Sequence, residues 1–90
     1  MAKAVANPDE LRRFAFDLKR FNDDLKGQVA NVHRRFVKLG ETWQDQEHAK
    51  FAETFEQMMK ALSKFVDASE RHIPFLLRKA ERIQEYLDQR

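Results

Sequence analysis

From Leu11 to Leu39 an apolar residue recurs at every third or fourth position, and the run stops at Gly40, one of only two glycines in the chain. The members are Leu11, Phe14, Leu18, Phe21, Leu25, Val29, Val32, Phe36 and Leu39. Steps of three and four keep side chains on one face of an α-helix and would scatter them over both faces of a strand. A stripe of this length therefore predicts one helix of about 48 Å, at 1.5 Å per residue. Two consecutive steps of four, from Phe21 to Leu25 and from Leu25 to Val29, form a local stutter in the heptad. Gly27 lies beside it and weakens the helix there.

The ends of the stripe carry stop and start signals. Asn7-Pro8-Asp9-Glu10 opens the helix. Asn can cap it, Pro suits the first helical position, and Glu stands where a capping box places it. At the other end Gly40 is expected to close the helix in a left-handed conformation. Thr42 is expected to cap a second helix, with Asp45 three residues on in a T-x-x-D arrangement. The boundaries expected are a helix over 8–39, a turn over 40–42 and a helix over 43–88. A turn this short forces the helices antiparallel. The fold class is therefore all-α, an antiparallel two-helix hairpin forming one domain over residues 1–90.

The second helix carries Phe51, Phe55, Met58, Leu62 and Phe65, with a parallel seam of Ala52, Met59, Val66 and Ile73. Its apolar arc is wider than one partner helix can cover. Pro74 is expected to kink or break it. If Leu39 faces Trp43 across the turn, Pro8 lies opposite Pro74. Phe75, Leu76, Leu77, Ile83, Tyr86 and Leu87 then overhang without an intrachain partner. Two helices cannot bury a double seam, and a hairpin of this size is marginal alone. The expected solution is dimerisation into a four-helix bundle. Its core and dimer residues are Phe14, Leu18, Phe21, Phe55, Met59, Leu62, Val66 and Ile73. Whether the second chain is identical or a sister protein stays open.

Composition narrows the function. Charged residues are 36% and hydrophobic residues 42% of the 90, too apolar for a disordered chain. No run reaches the roughly 18 apolar residues of a membrane span, and the start, MAKAVANPDEL, lacks the apolar core of a Sec signal. The absence of cysteine removes disulfides and thiolate chemistry. Net charge is only +2, but residues 8–39 carry +3, residues 41–70 carry −4 and residues 71–90 carry +2. Such alternation reads as complementary faces within one fold, with a basic patch for nucleic acid or membrane as the alternative.

Chemistry is hard to find. His33, His48 and His72 form no H-x-x-x-H or H-E-x-x-H pair, so no metal site is expected and the histidines read as solvated helix positions. No acid is paired with a nucleophile and no Gly-rich phosphate loop exists, so neither an enzyme nor a cofactor is expected. RRFAFDLKRF, residues 12–21, interleaves basic and aromatic residues as single-strand binders do. Phe14 and Phe21 belong to the stripe, however, which leaves only Phe16 spare.

The arrangement resembles the WXG family, small ESAT-like helical-hairpin proteins exported by type VII secretion systems. The resemblance rests on length and on Trp43 in the central turn, with Leu39 four residues before it and Phe51 eight after. The heptads of helix two and Tyr86 near the C-terminus extend it over nearly the whole chain. The family's W-x-G glycine is Asp45 here, and the acid expected four residues after the tyrosine is Arg90. The predicted pI of about 9.1 is also unlike the usually acidic family. The resemblance implies a turn and recognition motif of Gly40, Trp43, Asp45, Phe51 and Tyr86. It further implies a secreted substrate or partner-chaperone acting by protein–protein binding. Such a protein is cytoplasmic before a Sec-independent export, with a secretion ATPase among its contacts. A non-secreted helical adaptor and, behind it, a basic nucleic-acid-binding bundle are the competing readings.

Overall fold

The computed structural model of the protein describes residues 6–89. Arg90 and the first five residues, on which part of the export-signal and leader readings rest, lie outside the described residues. Two helices make up the fold, α1 over Pro8–Leu39 and α2 over Gln46–Asp88. They run antiparallel: Phe36 meets Phe51 and Phe55 near the turn, while Phe21 meets Phe65 farther out. The molecule measures 68 × 20 × 16 Å, with a radius of gyration of 20.3 Å. A compact domain of this length would have about 12 Å. A rod of this shape has little interior.

The start of α1 follows the sequence signals. Asn7 caps it, its side-chain oxygen accepting from the backbone N–H of Asp9 (2.8 Å) and Glu10 (3.2 Å), and Pro8 occupies the first turn. Gly27 sits within the helix without interrupting it.

The turn differs from expectation in three respects. Gly40 is not left-handed; its φ of −63° and ψ of −16° are ordinary right-handed values. The helix end tightens instead: Gly40 N donates to Phe36 O and Val37 O, and Glu41 N and Thr42 N donate to Lys38 O and Leu39 O. Thr42 does not cap α2; its hydroxyl donates back to Leu39 O at 3.3 Å. Asp45 is the cap, accepting from His48 N at 3.0 Å in an extended conformation. An ionised carboxylate at a helix N-terminus meets both free N–H groups and the positive end of the dipole. Hence α2 begins at Gln46 rather than 43, and the connection covers 40–45 rather than 40–42.

The later start of α2 shifts the register. A pairing of Leu39 with Trp43 would set Phe21 opposite residue 61, whereas Phe21 packs on Phe65 and Lys26 pairs with Glu70 at 2.6 Å. Pro8 therefore reaches the level of the Ala80 turn rather than Pro74, and Pro8 and Ala80 are both buried. The overhang shrinks to the last turns, with Tyr86 and Leu87. Leu76 and Ile83 are half-buried. Nor does Pro74 break α2, which is continuous to Asp88.

Between the helices runs one seam. Leu11, Ala15, Leu18, Asn22, Leu25, Val29 and Phe36 of α1 are buried or half-buried. On α2, Phe55, Met59, Leu62, Val66, Ser69, Ile73 and Ala80 are likewise. Phe55 and Val66 are buried within it. Phe14 and Phe21 do not join it; both are more than half exposed.

Candidate functional site: the tryptophan turn and the open face

The turn end holds a cluster of stacked and tilted aromatic rings. Phe36 stacks on Phe55 with ring centroids 4.4 Å apart and packs on Phe51 at 5.7 Å. His48 lies parallel to Phe36 (5.4 Å, 8°) and edge-on to Trp43 (5.0 Å, 81°). Trp43 also leans on Phe51 at 6.2 Å. Such offset and edge-on aromatic pairs each add about 0.5–1.5 kcal/mol beyond the area they bury. Trp43 is half-buried and Phe51 40% exposed, so the cluster is roofed on one side only. The backbone N–H of Trp43 donates to Leu39 O at 3.0 Å, tying the indole to the end of α1.

Gly40, Trp43, Asp45 and Phe51 are thus brought together, and Tyr86 is not. Tyr86 is 69% exposed near the far end of the 68 Å rod. The residue that departs from the sequence reading is His48; His33 and His72 are exposed, as expected. His48 is no solvated position but part of the cluster, with Nε2 buried and without a hydrogen-bond partner. His33 stacks on Phe55 at 6.3 Å, with its Nε2 3.7 Å from Glu56. The signal available was spacing: Phe36 and Leu39 close the α1 stripe, while His48 stands at the i−3/i−4 positions of Phe51 and Ala52. Its polarity masked that.

A second feature lies along one flank of the seam. Phe51, Met58 and Phe65 stand seven residues apart on α2, and Phe14 and Phe21 stand seven apart on α1. All five are at least 40% exposed. The edge-on contact of Phe21 with Phe65, 6.1 Å between centroids, joins the two strips into one apolar face. Val32 and Leu39 extend it toward the turn. Apolar faces left open on small chains are where partners commonly dock.

The opposite flank is different. There a depression of about 570 Å³ is floored by Val29, Ala30, Met59, Leu62 and Val66. Lys26–Glu70 and His33–Glu56 reach across the helices on that side. The hydrogen bond to Glu70 holds the Lys26 ammonium above its usual range, helped by attraction to Asp23 and Asp67. The spare aromatic of the basic segment, Phe16, carries the guanidinium of its own Arg20 at 6.0 Å. Among the described residues no group of three or more His, Cys, Asp or Glu could hold a metal ion. No described helix is long and apolar enough to cross a membrane.

The described residues thus form an antiparallel hairpin with an aromatic turn and one apolar face left open. The chain belongs to the WXG100 family, "proteins of 100 residues with WXG", whose pattern it matches over residues 5–88. It is a small helical protein related to type VII secretion. It is similar in structure to a secreted protein, EsxB, from Bacillus anthracis strain Sterne. The wild-type form shares 25% identity and a TM-score of 0.77, over 92% of this chain and 89% of that one. A glycine-to-alanine variant shares 25% identity and a TM-score of 0.76, over 93% and 97%. Among curated proteins none matches significantly.

Membership gives Asp45 its meaning. The motif that names the family has glycine there, and this chain spells Trp43-Gln44-Asp45. The backbone at Asp45 is extended, φ −93° and ψ −176°, so no glycine is required. The side chain that replaces it is used as the helix cap.

Proposed function

We propose that this chain is a substrate or partner-chaperone of a type VII secretion system, acting by helix-to-helix binding rather than catalysis. The observation that carries the reading is the open face joined at Phe21 and Phe65, on a hairpin whose turn presents a half-buried tryptophan. A second hairpin, identical or sister, covers that face and completes a four-helix bundle. An obligate pairing of this kind buries about 2,000 Å² or more. In an antiparallel pair the exposed Tyr86 of one chain comes to the Trp43 end of the other. The two aromatic side chains then form a composite surface at each end of the bundle, read by a secretion ATPase or another component. The chain is cytoplasmic until that step and leaves by a Sec-independent route.

Asp45 and Arg90, where the family motifs have glycine and an acid, favour one other reading, a non-exported adaptor of the same fold. The experiment that separates them is export from cells with and without the secretion ATPase. The proposal expects ATPase-dependent appearance of the chain outside the cell, lost in Trp43→Ala and in Tyr86→Ala while the folded pair persists. Retention in the cell under every condition supports the adaptor. Melting of the pair by Trp43→Ala, with Tyr86→Ala silent, makes the tryptophan simply core.

A further inference from the structure

His48 uses none of the usual chemistry of histidine. Its Nε2 is buried and makes no hydrogen bond, and no metal-binding group among the described residues includes it. What it offers is a flat ring of limited size. One face lies on Phe36 at an angle of 8°, and the indole of Trp43 stands edge-on to it at 81°. The Trp43 side chain has two ring neighbours, His48 at 5.0 Å and Phe51 at 6.2 Å, so the imidazole makes the nearer wall.

The surrounding residues fit that use. Asp45 fixes the backbone of His48 by accepting its N–H. Gly40 leaves space for the ring. Its backbone angles suit any residue, so conformation does not demand glycine there. A Cβ at Gly40 would stand 3.5 Å from His48 Nε2 and 3.3 Å from Val37 O. One methyl would therefore already touch the imidazole, and a branched side chain would displace it.

We propose that His48 is a positioning residue for Trp43. It sets the angle at which the indole is presented at the turn, with Asp45 and Gly40 seating the imidazole. This rests on the reading that the indole is what another protein recognises. It gives the departure from the family glycine a role: the capping carboxylate holds His48, which holds the tryptophan.

The test uses the full chain, in which Trp43 is the only tryptophan, as its own reporter. His48→Ala is expected to keep the helical content and the pairing, move the Trp43 emission to longer wavelength and lower its anisotropy. Gly40→Val, which leaves His48 chemically intact, is expected to do the same by crowding the ring. His48→Phe restores a flat ring without nitrogen and is expected to return emission and anisotropy to wild-type values. Unchanged emission in both His48→Ala and Gly40→Val overturns the proposal. So does rescue by His48→Asn but not by His48→Phe, which would make the imidazole nitrogen itself the working group. Export of the same variants separates the two layers. If Trp43→Ala exports normally, the recognition reading fails, while the emission series still decides whether His48 positions the indole.

Discussion

Two residues report how side-chain chemistry and backbone conformation divide the work. Gly27 lies on the exposed surface of α1, and a Cβ there would meet nothing within 4 Å. Its cost is the backbone freedom it loses on folding, so Gly27→Ala should stabilise the protein by about 0.5–1 kcal/mol. Urea denaturation followed by circular dichroism measures this, and a loss of stability would mean that the glycine serves a contact. Asp45 is the opposite case. Asp45→Ala removes the cap of α2 and should cost about 1 kcal/mol, while Asp45→Gly, which restores the family motif, should cost only a few tenths. Of these, only Gly27 was legible beforehand, because helix propensity is a local property. The capping role of Asp45 was not, since Thr42 and Asp45 both fit a cap; the choice fell to the residue whose carboxylate could reach His48 N.

At the level of the helices, the seam is aromatic-packed near the turn and poorly satisfied farther out. The turn half is packed by Phe36, Phe51 and Phe55. Farther out, Asn22 is fully buried with neither side-chain atom hydrogen-bonded, and Ser69 is buried with its hydroxyl unpaired. Buried polar groups without partners cost about 1–3 kcal/mol each, and in helix pairs a polar seam residue is a known way of fixing register at the expense of stability. Asn22→Leu should therefore raise the denaturation midpoint, and hydrogen exchange of the amides around it should slow. A lowered midpoint would show that the Asn22 side chain is paired in solution. The existence of both helices and their antiparallel course could be read from stripe, glycine and caps. The register could not. A three-residue change in where α2 starts moves every opposed pair, and the caps alone did not determine that start.

For the whole molecule the decisive feature is how little of its apolar surface one hairpin covers. Phe14, Phe21, Phe65 and Phe75 are each about half exposed, and the described residues bury only Ala15, Phe55, Val66 and Ala80 as apolar core. The doubled seam of α2 already signalled this in the sequence, because a heptad pattern records how much surface must be covered. What covers it was not legible, since an apolar stripe fits an identical or a sister helix equally well. The exposed ion pairs are minor by comparison, because solvent and salt screen them. Lys26–Glu70 contributes while the lysine is charged and is lost as pH rises through its raised value. Phe65→Asp should abolish pairing through desolvation of a charge at the contact, whereas Phe16→Asp, on the flank away from the joined strips, should leave pairing intact. Sedimentation equilibrium of the purified full chain, alone and with any sister chain, tests the central claim most directly. The expected result is that folded protein always sediments as a pair. A stably folded species of 10.8 kDa at micromolar concentration would contradict it.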